Sequence, residues 1–342
     1  MKKIALFFFI GLIATGVSCS KGGSTPGNTG MPPSNLTVTA NISADNSGIV
    51  AFAAAATNAV TYDYDFGNGI FQTVASGIVS YKYSSSGTYS VNVTAKSSTG
   101  QTISKSIQVV ITVPQSLVWA DEFDVAGSPD PTKWGYDLGA GGWGNNELEY
   151  YTNRQENVVV SNGTLKITAK AESFNGSAYT SARMLTKDKF ATKYGKIEVR
   201  AKLPAGVGTW PAIWMLGSNF TTVPWPGCGE IDIMEHVGKS LNKIYATLHH
   251  PGHSGANGDG SNVTIANATT AFHKYTVEWS STTIRFLVDD AAFYTFTNNS
   301  SLPFNQNFFI ILNVAMGGNF AGPVDPAFTS AAMEVDYVRV YN

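Results

Sequence analysis

The chain has 342 residues, long enough for two domains, and 43% of them are hydrophobic, ample for a sizeable core. A formal net charge of −2, with only 13% charged residues, leaves no electrostatic footprint for nucleic-acid binding. Aromatic residues make up 12%, which suits both large β-sheet cores and rings that stack on the apolar faces of sugars.

Lys2 and Lys3 precede an apolar run from Ile4 to about Ser18. The run is too short for a comfortable membrane span and carries the charge layout of an export signal. Gly16-Val17-Ser18-Cys19 resembles a bacterial lipoprotein cleavage site. Residues 1–19 are therefore expected to be a signal peptide, with Cys19 lipidated and the protein held on a membrane at the cell surface or in the periplasm. The other reading is ordinary cleavage with Cys19 incidental. With Cys19 lipidated, the remaining cysteine, Cys228, has no disulfide partner and reads as a small buried residue rather than a catalytic thiol.

Residues 20–36 are rich in Gly, Ser and Pro and read as a flexible tether. Residues 37–113 show short alternating runs and no credible helix. Tyr89-Ser90-Val91-Asn92-Val93-Thr94-Ala95 alternates as a half-buried strand does, and Gly69, Gly77, Gly87 and Gly100 punctuate the runs. This predicts a β-sandwich. Tyr64-Asp65-Phe66-Gly67-Asn68-Gly69 and Gly87-Thr88-Tyr89-Ser90-Val91 resemble the signature of polycystic-kidney-disease-type domains, which are immunoglobulin-like sandwiches. Tyr64 stands where that signature often has Trp, and Asn68 where it often has Asp. Such a module would act as a spacer or bind polysaccharide itself.

After a hinge at Pro114–Ser116, residues 117–342 are again nearly all β. Ile197, Val199, Ala201 and Leu203 alternate with Glu198, Arg200 and Lys202. Tyr275, Val277 and Trp279 alternate with Thr276 and Glu278, and the final strand is expected at 335–341. The fold class is all-β, an N-terminal sandwich followed by a large one with room for an open cleft.

The most informative stretch is Gly229-Glu230-Ile231-Asp232-Ile233-Met234-Glu235-His236. Side chains alternate along a strand, so Glu230 and Asp232 share a face and Glu235 is out of phase by one. One extra residue near Met234, a β-bulge, restores the phase. Three carboxylates on one face repel each other, which argues against a structural role. Two glutamates so placed are consistent with the close carboxyl pair of a retaining glycosidase, with Asp232 between them separating their pKa values.

Trp225-Pro226-Gly227-Cys228-Gly229 followed by the acid run resembles the active-site strand of family-16 glycoside hydrolases, in particular the laminarinase branch. Val118-Trp119-Ala120-Asp121-Glu122-Phe123, the stretch from Gly142 to Thr152, the stretch from Thr209 to Leu216 and Asn313-Val314-Ala315-Met316-Gly317-Gly318-Asn319 are similar to further segments of that family, in order. The resemblance implies a concanavalin-like jelly roll and an endo-β-1,3-glucanase acting on a β-glucan polysaccharide. Glu230 would be the nucleophile, Asp232 its partner and Glu235 the acid/base. Trp210, Trp214 and Trp225 would be sugar platforms, Asn146 and Arg183 would bind glucose hydroxyls, and His249 would face the cleft. It further implies a structural calcium at Glu122, Gly163 and Asp336, no cofactor for catalysis, and a monomer. A mixed-linkage glucan or marine galactan substrate is the rival within the class. A non-catalytic glucan-binding protein is the rival outside it, disfavoured by the presence of both glutamates. His249, His250 and His253 invite a zinc reading, but the segment shows no supporting carboxylate nearby.

Overall fold

The computed structural model describes residues 30–83 and 86–342. Cys19, the expected export signal and most of the expected tether lie outside the described residues. Two compact units are present, and each is taken by itself.

In the first unit, Ser34–Ile42, Ile49–Thr57 and Ile78–Lys82 form a three-stranded sheet. Phe71–Val74, Thr61–Asp65, Gly87–Lys96 and Thr102–Ile111 form a four-stranded one. The alternation at 89–95 has its expected outcome, since Val91, Val93 and Ala95 are fully buried and the residues between them are not. Tyr64 and Phe66, from the motif that resembles the kidney-disease domain, are also fully buried and pack on Phe52. Tyr64 donates its hydroxyl to the Gly77 carbonyl at 2.6 Å, so the ring packs while its polar end is satisfied.

The second unit is two packed sheets, antiparallel throughout except where Glu149–Tyr151 runs parallel to Ser177–Ser181. The ten-stranded sheet contains Thr164–Phe174, Ser330–Tyr341, Gly195–Lys202 and His273–Trp279 as neighbours. The seven-stranded sheet runs in the order Asp259–Thr264, Lys243–His249, Glu230–Glu235, Thr209–Gly217, Phe308–Met316, Arg183–Leu185, Gly135–Asp137. Ile197, Val199 and Ala201 from the first sheet meet Ile213, Met215, Ile231, Ile310 and Leu312 from the second in one continuous core.

Two details depart from the sequence pattern. Glu198, expected outside, is 5% exposed. Lys196 lies 2.7 Å from its carboxylate, and the Tyr337 hydroxyl donates to it at 2.8 Å, which offsets the cost of burying it. The last strand starts at Ser330 rather than near 335, because its first residues pair with Leu165–Lys170. The only helix among the described residues longer than a single 3-10 turn is Gly318–Ala321.

All nine residues of Phe308–Met316 are buried. Phe308, Ile310, Leu312, Val314 and Met316 enter the main core, while Phe309 and Ile311 pack with Leu185 on the opposite face. The seven-stranded sheet is therefore covered on both faces around this strand, and the cleft occupies the face turned away from the main core.

Candidate active site

Period-two alternation builds the cleft floor strand by strand. Trp210, Ala212, Trp214 and Leu216 face it from one strand, and Tyr245, Thr247 and His249 from another. Between these strands lies Glu230–Glu235. Glu230 pairs with His249, Asp232 with Thr247 and Glu235 with Tyr245, so five chain steps on the acid strand answer four on its neighbour. The register against Thr209–Gly217 also shifts, between Asp232 and Met234. This is the bulge expected from the sequence. Ile233 and Met234 both enter the core, two consecutive inward residues, and Glu235 returns to the face of Glu230 and Asp232.

The three carboxyls meet in a cleft of about 920 Å³, and no arginine or lysine among the described residues is ion-paired to them. Burial pushes the Glu230 carboxyl well above the usual range, and the neighbouring Asp232 and Glu235 push it further. Burial likewise raises Asp232, aided by Glu235, while a hydrogen bond with Glu230 opposes the rise. Glu235 is raised by burial too, against two hydrogen bonds that favour its ionised form. These come from the Trp210 indole N–H to Oε1 at 2.9 Å and the Thr247 hydroxyl to Oε2 at 3.3 Å. His249 places Nε2 3.2 Å from Asp232 Oδ2 and 3.7 Å from Glu230 Oε1. Asp232 Oδ2 has no aligned hydrogen-bond donor. Burial and mutual repulsion thus disfavour three simultaneous anions in the cleft.

Two residues flanking the acids, His236 and Cys228, are excluded from chemistry. His236 lies in the core and is kept neutral, its pKa lowered to about 4 by burial. Cys228 is buried, and burial with the adjacent Glu230 charge pushes its thiol up to about 11, so it is no thiolate nucleophile.

The structure brings Arg183, Trp210, Trp214, Trp225 and His249 to the cleft wall. The Arg183 guanidinium lies 5.0 Å from the Trp143 ring centre and 4.8 Å from that of Trp214, and its Nε is 3.1 Å from Asp137. Trp214 donates its indole N–H to Asn313 at 2.8 Å. Trp225 is 48% exposed at the mouth, its ring 5.8 Å from His249, and precedes the only cis peptide among the described residues, Trp225–Pro226.

Asn146 does not itself line the cleft but is one hydrogen bond from Asn319, which does. It is exposed and donates to Asn319 Oδ1 at 2.8 Å, while its neighbours Trp143, Asn145 and Glu147 line the wall. The left-handed backbone at Trp143, Gly144 and Asn146 makes a tight turn that strand alternation cannot describe. Sequence reasoning also left out Glu147, Glu149 and Asn313. Tyr151 donates to Glu147 at 3.0 Å, and Asn313 donates to the Tyr151 hydroxyl at 3.0 Å. Behind them Glu149 is fully buried, accepts the Met316 N–H, and is held well above the usual carboxyl range by burial and by Glu147.

At the positions assigned to calcium, the side chains are already engaged. Arg339 donates to both Glu122 oxygens at 2.8 Å, and Asp336 is paired with Arg200. Gly163 has a φ of 70° and, with Asn162, forms the two-residue turn between Val158–Ser161 and Thr164–Phe174. With both carboxylates committed to arginines, this donor set does not fit a hard cation.

The histidine segment departs from its expectation. Asp259 lies 2.9 Å from His250 Nε2 and 3.1 Å from His253 Nδ1, so the carboxylate missing from the local sequence is supplied by the next strand.

Residues 145–339 match the family model for glycosyl hydrolases family 16, and residues 33–113 match that of the PKD domain. A beta-glucanase from Rhodothermus marinus is 46% identical over 241 residues, 66% of this chain and 84% of that one. Among solved structures, the laminarinase from Rhodothermus marinus is 46% identical with a TM-score of 0.65, covering 67% of this chain and 98% of that one. LamA from Z. galactanivorans, solved in complex with laminaritriose and laminaritetraose, is 42% identical with a TM-score of 0.62, covering 66% of this chain and 99% of that one. The chain belongs to glycosyl hydrolases family 16 and is a glycoside hydrolase.

Proposed function

We propose that this glycoside hydrolase cleaves internal β-1,3-glucosidic bonds of laminarin-like β-glucans with retention of configuration. The observation that carries the reading is the bulged strand, which aims Glu230, Asp232 and Glu235 into one cleft. Glu230 attacks the anomeric carbon while Glu235 gives its proton to the departing glycosidic oxygen. Glu235 then takes a proton from water, which displaces Glu230 from the sugar. The local environment suits these roles. Burial keeps Glu235 protonated until it acts, and the Trp210 N–H stabilises the carboxylate it becomes. Glu230 must be ionised to attack; burial and the neighbouring Asp232 and Glu235 oppose that state, while the adjacent His249 favours it.

A cleft of this size exceeds one sugar ring, which fits internal cleavage. Trp210, Trp214 and Trp225 line the cleft and are assigned as platforms for sugar rings, with Arg183 lying between Trp143 and Trp214 to meet hydroxyls. The laminari-oligosaccharides bound in the LamA structure support the substrate class. Reducing-sugar release from laminarin, barley glucan, lichenan and agarose, with the anomer of the first product followed by NMR, tests both parts. The β-anomer from laminarin is expected. Activity on agarose alone would overturn the substrate, and an α-anomer the stereochemistry.

We extend the reading to Cys19 as a lipid-anchored residue, supported by the charged, apolar and small-residue order of Lys2 to Ser20. Cys19→Ala should shift the protein from the membrane fraction to the soluble one. An unchanged distribution would refute the anchor.

A further inference from the structure

We propose that His250, His253 and Asp259 form a binding site for a zinc-class divalent cation that staples one wall of the cleft. His250 and His253 close a four-residue turn by two mutual backbone hydrogen bonds of 2.9 Å. Pro251 and Gly252 occupy its corners, and Gly252 has a φ of 85°, the residue chemistry of a type II turn. The turn sets the two imidazoles side by side, with ring centres 4.6 Å apart and planes 19° from parallel. Asp259 arrives on the adjacent strand, where it pairs with Leu248. Its Oδ2 is 2.9 Å from His250 Nε2 and its Oδ1 is 3.1 Å from His253 Nδ1. All three donor atoms lie within 4.8 Å of one another.

Donors around a tetrahedral zinc are about 3.3 Å apart, given bonds of about 2.0–2.1 Å. Small outward movements of these side chains would therefore admit an ion, which would replace the two hydrogen bonds with three bonds to metal. Two imidazoles and one carboxylate are a familiar zinc donor set, with the fourth position left to water. His250 is only 5% exposed and is packed by Phe296 and Phe304, which fixes its ring. The His253 side chain is 51% exposed and provides the entry path.

The position gives the site a consequence. It joins both ends of the segment 250–259, whose Gly255, Ala256 and Gly258 line the cleft. Gly258 lies so close to His249 that an added Cβ would stand 2.7 Å from the imidazole Cε1. A metal at the segment's base would thus hold the wall behind His249 without touching Glu230 or Glu235.

Isothermal titration of the whole protein with Zn²⁺ tests this, run also on His253→Ala, Asp259→Asn and His249→Ala. The expected result is one ion per chain in the wild type and in His249→Ala, with affinity falling about tenfold or more in each of the other two variants. Zn²⁺ should raise the melting temperature of the wild type but not of His253→Ala. Co²⁺ should show the intense visible bands of a tetrahedral site. Glu230, Asp232 and His249 form the rival cluster, so binding that persists in His253→Ala and Asp259→Asn but is lost in His249→Ala would overturn the assignment. Absence of stoichiometric binding at about 100 μM Zn²⁺, far weaker than structural zinc sites bind, would overturn it as well.

Discussion

The second unit holds carboxylates in two contrasting settings. At the edge of the ten-stranded sheet, Glu122 accepts two parallel hydrogen bonds from Arg339, and these hold its carboxyl below the usual range. In the cleft, Glu230 has other carboxyls as neighbours and no guanidinium paired with it, and it is held well above that range. The residue type is the same and the shifts are opposite. A paired carboxylate is a fixed anion that steadies the fold. An unpaired, buried one opposes the fold and remains free to carry protons or attack carbon.

The largest expected effect follows from breaking the cleft side. Glu230→Gln should lower turnover on the order of 10⁴-fold or more, as removing a nucleophile does, with oligosaccharide binding retained. Near-wild-type hydrolysis would end the assignment. Trp210→Phe keeps an aromatic face and removes only the N–H on Glu235. Loss of a hydrogen bond to a charged group, about 1.5–3 kcal/mol, predicts a fall in kcat/KM of roughly 10- to 150-fold. That bond lowers the Glu235 pKa, so the basic limb of the pH–rate profile should move upward in the variant. A limb that moved down would contradict the acid/base role.

Stability against pH sharpens the contrast further, because the two settings carry opposite signs. A carboxyl raised in the folded state binds its proton more tightly there than when unfolded. Its favourable contribution is present below the ordinary carboxyl pKa and is lost as pH rises through the raised value. Glu230→Gln should therefore raise the melting temperature at neutral pH, by about 0.5–2 kcal/mol of stability, and leave it nearly unchanged near pH 3. Glu122 has the depressed case, with its contribution present above the ordinary pKa and lost as pH falls through the lowered one. Glu122→Gln should lower the melting temperature at neutral pH, by about 1 kcal/mol or less since the pair is partly exposed, with the difference fading in acid. Calorimetry of both variants across pH checks the signs. The smallest effect is expected for Arg183→Lys, which loses the planar stack between Trp143 and Trp214 and should raise KM a few-fold, in line with about 0.5–1 kcal/mol for such contacts.

The sheets and the floor of the cleft were legible in the sequence because they obey a period of two. Ile197, Val199 and Ala201 read as inward and are inward, and the break in phase at Glu235 located the bulge without any structure. Legibility failed where the chain leaves that period. Asn146 was expected at the cleft and Trp143 was not, because nothing in the local pattern shows which way successive left-handed residues turn. Asp259 escaped notice because pairing of the strands at Leu248 and Asp259, not nearness in sequence, brings it to the histidines. Glu198 read as a surface charge because its partners, Lys196 and Tyr337, become partners only after the sheet forms.

Five residue steps from Glu230 to Glu235 lie opposite only four from His249 to Tyr245. A relative missing one residue between Asp232 and the last glutamate would span the same four steps and still present both glutamates to one side. Chain length at this point is therefore free to change during descent without relocating the chemistry, at the expense of one core side chain such as Met234. A single insertion or deletion between Glu230 and Asp232 has no such escape, because it would turn one acid into the core. The acid strand should accordingly diverge in length only at its second half, and two lineages of this fold could differ there by one codon while sharing a reaction.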